Sequence, residues 1–191
     1  MGMIRVWTRQ HKNVWKKLLE TGRYTAKRAY IQMDMEEHAD IMLKAYDWLV
    51  KNGPDAENRP SDVEYPVWVS FVEDATMLPG ENGVILELLL DEALITKVNI
   101  MKWSSILNYA YLPKDAEDAK RHQELLNLYG TNDAKAVMTS FYPEIKREIL
   151  DSWKRLFDDR LDVGSDLCYG TIWELKREWV QDVQGQEAAE A

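Results

Sequence analysis

Apolar positions are most concentrated at residues 83–90, where a single glutamate interrupts a run of valine, isoleucine and leucine. Such a near-continuous run predicts a strand that is buried on both faces. A second strand is predicted just upstream, at residues 65–71, and Pro79 and Gly80 in the intervening loop permit a hairpin. We expect these two strands to form the middle of a sheet.

The beginning of the chain predicts a strand followed by a helix. Residues 3–10 alternate apolar and polar positions, which is typical of a strand at the edge of a sheet or in its second row. Asn13 offers an N-cap for the following helix, and Gly22 offers the left-handed residue that ends it. Residues 23–32 have no clear period and predict an extended connection.

Apolar residues at helical spacing predict four further helices. They cover residues 34–52, residues 100–109 with Asn99 as N-cap, residues 115–128 on the outside of the fold, and residues 143–158.

A last strand is predicted at residues 167–173, where Gly170 indicates a bulge or a close approach of the backbone. Residues 174–183 predict a final helix, and residues 184–191 predict a frayed polar tail. The predicted fold class is therefore α+β, with a small mixed or antiparallel central sheet flanked by three to five helices.

Composition favours a single domain over residues 1–183. The chain has 191 residues, of which 46% are hydrophobic, and this is ample for one core. Its 33 acidic and 24 basic residues give a net charge of −9, which would repel duplex nucleic acid. Cys168 is alone, so no intrachain disulfide is possible, and neither a leader peptide nor a membrane span is predicted. We expect a cytoplasmic bacterial protein, and the oligomeric state is left open.

Several catalytic motifs are missing from the sequence. It contains no Gly-rich phosphate loop, no paired cysteine or histidine metal spacing, and no Gly-x-Ser-x-Gly turn. His11, His38 and His122 lie in three separate polar contexts. Each is interpreted as a solvated or capping histidine rather than a ligand or base, so no metal is expected.

Polar residues at the ends of two strands are the candidates for chemistry. Glu174 follows Trp173 directly in the sequence. Partial burial beside this ring would raise the pKa of Glu174 and fit its carboxyl group for polarising a hydroxyl. The alternative is that Glu174 is an acid in the first turn of a helix. Thr8 and Gln10 would either hydrogen-bond a ligand amide or ribose, or be simple edge-strand polarity. Most of the eight tryptophans are expected in the core, with Trp68 and Trp173 as candidates for lining a pocket for a flat ligand.

Six aromatic motifs, in their order along the chain, resemble a bacterial family of unknown function, DUF3841. The motifs are residues 6–10, 45–48, 65–68, 107–112, 152–158 and 171–175. The resemblance covers nearly the whole chain and brings no established activity. The sequence departs from the family pattern at residues 73–80, where an arginine-containing motif is expected, and at Tyr169, where a glutamine is expected.

A fainter resemblance is to small ADP-ribosyltransferase-like domains, in which a glutamate on a late strand contacts the ribose of NAD. This resemblance implies that Glu174 holds the ribose hydroxyl and that Thr8 and Gln10 hold the nicotinamide side. Thr8 then stands where a histidine or arginine is usual. The implied function is an NAD-binding ADP-ribosyltransferase, either active on a protein substrate or degenerate.

The alternative is a non-catalytic, phage-type interaction protein whose acidic surface binds a host protein.

The position of Glu174 decides between these functions. We expect the last strand to end in a cleft near Thr8, with the carboxylate of Glu174 unpaired at the mouth of an aromatic pocket. On this view, a Glu174→Gln variant keeps its melting temperature and loses ligand-induced stabilisation.

Overall fold

The computed structural model describes residues 2–28, 39–76 and 80–185 and has an α+β fold, as the sequence predicts. The strands in these ranges are β1 (Met3–His11), β2 (Arg23–Tyr24), β3 (Val67–Ser70), β4 (Gly83–Asp91), β5 (Thr96–Asn99), β6 (Cys168–Ile172), β7 (Leu175–Lys176) and β8 (Val180–Gln184). The helices are α1 (Lys12–Thr21), α2 (Ala39–Asn52), α3 (Ile100–Leu107), α4 (Ala116–Tyr129), α5 (Asp133–Met138) and α6 (Pro143–Ser152). These ranges hold six helices, one more than the predicted maximum, because α5 is too short to give a clear period.

The chain divides into two compact units, each made of separate segments. Unit 1 combines Met1–Ala39, Pro54–Lys97 and Cys168–Ala191, and unit 2 combines Asp40–Gly53 with Val98–Leu167. The single domain over residues 1–183 stays a prediction.

Strand β1 lies in the middle of the six-stranded sheet, whose order is β5-β6-β3-β1-β4-β8. It pairs antiparallel with β4 along its whole length, from Met3 opposite Asp91 to His11 opposite Gly83, and with β3 on its other side. The predicted hairpin between β3 and β4 is therefore wrong, because β1 separates the two strands. The prediction of β1 as an edge or second-row strand is wrong for the same reason.

One face of strand β4 forms the centre of the unit 1 core. Val84, Leu86, Leu88 and Leu90 are fully buried on this face, together with apolar residues of helix α1. On the opposite face, Ile85 is also buried, whereas Glu87 and Leu89 are only partly covered. The strand was predicted to be buried on both faces. Burial is complete only on the face whose alternate residues point into the core.

Capping residues fix the ends of α1 and the beginning of α3. Gly22 has φ 75° and ends α1 as predicted, but the N-cap of α1 is His11 rather than Asn13, because His11 Nδ1 accepts a hydrogen bond from the Asn13 backbone N–H at 3.1 Å. Asn99 caps α3 as predicted, since its Oδ1 accepts from the backbone N–H groups of Met101 and Lys102.

The helix predicted at residues 174–183 is wrong. This segment forms β7, a 3-10 turn at Arg177–Trp179 and β8. Leu175 pairs with Tyr24 of β2, and Val180 pairs with Leu88 of β4, so sheet pairing with distant segments overrides the local helical spacing.

Two predicted segments extend beyond the described residues. The start of the helix predicted from residue 34 lies outside them, and the described part of that helix is α2. Most of the predicted tail, residues 186–191, also lies outside them.

Unit 2 is an aromatic helical unit around Trp153. Its ring stacks on Tyr109 and meets Trp48 edge-on, and its Nε1 donates to the Ala110 carbonyl oxygen at 2.9 Å. Helix α4 was expected on the outside, yet its Leu126 is buried in this unit, together with two polar residues. The prediction missed the buried side of α4 because these inward-facing polar side chains break the apolar stripe.

Gly170 of β6 approaches its neighbours as closely as predicted. A Cβ atom there would lie 2.4 Å from Cγ2 of Ile95 and 2.8 Å from Cγ2 of Val69. We therefore expect Gly170→Ala to lower the free energy of unfolding by roughly 1–3 kcal/mol in urea denaturation, because overpacking strains a filled core. The matched control is Gly2→Ala, where no atom lies within 4 Å. Equal stability of the two variants would contradict this account.

Candidate functional site

A cavity of about 220 Å³ lies in unit 1 where strand β6 ends. Its lining includes Pro60, Leu94, Trp173, Glu174, Lys176 and Trp179. Trp173 is held by a hydrogen bond from its Nε1 to the Asp55 carbonyl oxygen at 3.2 Å. The cavity therefore has aromatic and aliphatic walls together with charged residues of both signs, which is the usual composition of a small-ligand pocket.

Glu174 is neither unpaired nor in a helix. It lies between β6 and β7, directly after Trp173, and its side chain is 19% exposed. Its Oε2 accepts a hydrogen bond from Arg23 Nε, and its Oε1 lies 3.3 Å from Lys176 Nζ. The prediction of an acid in the first turn of a helix is therefore wrong. The carboxylate does lie in a cleft beside Trp173, but it is not unpaired, because Arg23 and Lys176 neutralise it there.

Arg23 connects the cavity to the loop before β3. Its Nη1 and Nη2 lie 2.5 Å and 3.2 Å from the two carboxylate oxygens of Asp62, while its Nε is used by Glu174. The hydrogen bonds that Arg23 donates to Asp62 and Glu174 raise the pKa of Arg23 above its ordinary value, and Arg23 in turn lowers the pKa of Asp62. A charged guanidinium therefore fixes the orientation of the Glu174 carboxylate.

The structure places Thr8, Gln10 and Trp68 apart from this cavity, since none of the three lines it. Thr8 is 2% exposed; its hydroxyl donates to the Trp68 carbonyl oxygen at 2.7 Å and accepts from Gln10 Nε2 at 2.7 Å. Trp7 pairs with Ser70, so the alternation of a strand puts the side chains of Thr8 and Trp68 on opposite faces of the sheet. Of the five predicted site residues, only Trp173 and Glu174 therefore share the cavity.

Sequence reasoning missed Arg23, Asp62, Lys176 and Trp179. The alternation of charged and apolar residues from Glu174 to Lys176 is a strand signal that places both charges on one side, and it could have identified Lys176. Arg23 and Asp62 carry no such signal, because their contacts with the site depend on the tertiary fold.

The histidines have three different outcomes. His11 caps α1, as predicted, and His38 lies outside the described residues. His122 was predicted to be solvated or capping, but it is 4% exposed and bonded to two carboxylates. The prediction failed because the sequence does not show that Asp133 and Glu148 lie beside it.

The chain belongs to the family described as domain of unknown function DUF3841, whose model matches residues 5–181. No curated protein and no solved structure shows a significant match to the chain. Within the described residues, no group of three or more histidine, cysteine, aspartate or glutamate side chains is placed to hold a metal ion. Among the same residues, no helix has the length and apolar character needed to cross a membrane.

The ion pairs of Glu174 change what a substitution should do. We expect Glu174→Gln to lower the free energy of unfolding by about 1 kcal/mol, because Arg23 and Lys176 lose a partly buried anion. This replaces the expectation of an unchanged melting temperature.

Urea denaturation at low and high salt would measure the effect. Asp62→Asn is the matched control, because it removes the other, more exposed partner of Arg23 and leaves the cavity lining intact. Wild-type stability of Glu174→Gln would show that these ion pairs do not contribute.

Proposed function

We propose that the chain is an NAD-binding protein of ADP-ribosyltransferase-like type, and that the cavity beside Trp173 holds the ring end of the nucleotide. The observation that carries the proposal is the oriented Glu174 carboxylate in an aromatic-lined cavity at the end of a late strand. In the domains that the sequence faintly resembles, a glutamate in such a place contacts the ribose of NAD.

The size of the cavity limits which part of the ligand enters it. About 220 Å³ is below the range of roughly 300–1,000 Å³ that is typical of sites for drug-sized ligands. The space suits a single flat ring with its amide, packed against Trp173, and the remainder of a dinucleotide would extend outside. Lys176 lies at the cavity with its amine 5.2 Å from the Trp179 ring centre, where it can meet a phosphate group.

The charges around Glu174 favour binding over transfer. A carboxylate assists glycosidic cleavage by stabilising positive charge that develops at the anomeric carbon. Arg23 and Lys176 offset the negative potential that this step requires. The proposal is therefore a nucleotide-binding, degenerate member of this type, in which Glu174 accepts a hydrogen bond from a ribose hydroxyl.

Calorimetric titration of the full chain with NAD, nicotinamide mononucleotide, nicotinamide and ADP-ribose tests the proposal. We expect NAD and the mononucleotide to bind, and Trp173→Ala to weaken both by about 10-fold or more, because ring stacking contributes roughly 1–3 kcal/mol. Glu174→Gln should also weaken binding. Glu178→Gln is the matched control, since Glu178 is exposed and does not line the cavity.

The outcomes separate binding from catalysis. Binding without release of nicotinamide from labelled NAD supports the degenerate type, whereas labelling of lysate proteins would show an active transferase. If none of the four compounds binds, or if both cavity variants bind like wild type, the proposal is wrong.

A second candidate function is a non-catalytic protein that binds a basic partner, and the charge of one segment favours it. Residues 54–97 contain ten acidic and two basic residues. Capture of a basic lysate protein that is lost at high salt and retained by Trp173→Ala would support this candidate. A chain that stays alone at low salt would rule it out.

A further inference from the structure

His122 connects three helices of unit 2 through both of its ring nitrogens. It lies on α4 and is 4% exposed. Its Nε2 lies 2.7 Å from Oδ1 of Asp133 on α5, and its Nδ1 lies 3.0 Å from Oε1 of Glu148 on α6. No element of the proposed nucleotide site uses this cluster.

The two carboxylates require both ring nitrogens of His122 to carry a proton. A neutral imidazole has only one N–H, so its other nitrogen would direct a lone pair at a carboxylate oxygen in a buried place. Burial by itself would lower the pKa of His122, but its hydrogen bonds to Asp133 and Glu148 outweigh burial and raise that pKa above its ordinary value. The carboxylate contacts of both ring nitrogens therefore favour the imidazolium form of the buried ring.

The surrounding charges balance only when His122 is protonated. Asp118, Asp133 and Glu148 contribute three negative charges, and Arg121 and Arg155 contribute two positive charges. Arg121 Nη2 lies 2.6 Å from Oε1 of Glu148, the same oxygen that contacts His122. Arg155 Nη1 lies 3.5 Å from Oδ2 of Asp118.

Tyr111 is an uncharged group that faces the imidazole: its ring centroid lies 4.0 Å from that of His122, and its hydroxyl donates to Asp118. Loss of the His122 proton thus leaves one uncompensated negative charge in a mostly buried cluster.

We propose that protonated His122 is a pH-sensitive clamp that holds α4, α5 and α6 together, and that its deprotonation loosens this part of unit 2. Glu148 also lines a cavity of about 380 Å³ together with Tyr111, Arg147 and Arg155. The clamp therefore controls the charge and the shape of this cavity, since the carboxylate that binds His122 forms part of its wall.

The clamp stabilises the fold over a defined pH window. Because the folded-state pKa of His122 is raised, its stabilisation is fully present below the ordinary value of 6.5 and is lost as the pH rises through the folded-state pKa. Burial would raise the pKa of Glu148, but Arg121 and His122 lower it below 4.5. The Glu148 contribution is therefore present above 4.5 and is lost as the pH falls through the lowered value.

NMR of the full chain tests the clamp directly. Nitrogen chemical shifts of His122 should show two protonated ring nitrogens at pH 7, and the same shifts followed to alkaline pH should report the loss of one proton. His122→Asn should lower the melting temperature at pH 6 by about 5 °C and by much less at alkaline pH, where the wild type has lost the proton. His11→Asn is the matched control, because asparagine can also cap a helix, and it should keep the alkaline loss of stability of the wild type.

A second variant keeps the test decisive if His122→Asn does not fold. Asp133→Asn retains an oxygen beside Nε2 but removes the charge, so it should move the pKa of His122 back towards its ordinary value. A singly protonated His122 at pH 7, an unaltered pKa in Asp133→Asn, or the same alkaline loss of stability in His122→Asn and wild type would each overturn the proposal.

Discussion

The pairing of β1 with β4 is the constraint on which the rest of unit 1 depends. Nine consecutive residue pairs fix which side chains of both strands face the core, and a shift by one residue would expose Val84, Leu86 and Leu88 to water. The same register assigns Thr8 to the face opposite Trp68. The distribution of polar groups over the two faces is therefore a consequence of where the aliphatic residues of β4 must be buried.

Charge compensation has the same form in both units. In unit 1, Arg23 lies between the carboxylates of Asp62 and Glu174, and in unit 2, His122 lies between those of Asp133 and Glu148. The difference is chemical, because a guanidinium keeps its charge at any physiological pH, whereas an imidazolium can lose it. The first arrangement fixes a carboxylate permanently, and the second makes a contact between helices conditional on pH.

Sequence patterns predicted the elements whose signal is local. The β4 run, the Gly22 stop and the Asn99 cap each depend on a few neighbouring residues, and the structure confirms them. The strand order and the fate of residues 174–183 were predicted wrongly, because they depend on pairing between segments that are distant in sequence.

The candidate site likewise contains residues that a local sequence pattern identifies and residues that only the tertiary fold brings in. Glu174 and Trp173 are adjacent in sequence and share the cavity, as expected, whereas Arg23 reaches them from 151 residues away. No periodicity in a single chain reports such a contact.

The order in which the segments leave the ribosome matters for a sheet of this topology. Strands β6 and β8 complete its two sides next to β3 and β4, yet they follow all of unit 2 in the chain. A nascent chain that stops after unit 2 would present β3 and β4 with unpaired backbone groups, and β4 is nine residues long and rich in leucine. During synthesis, the strand that supplies the core is thus also the segment most exposed to association with other chains, and its protection depends on the rapid arrival of the last strands.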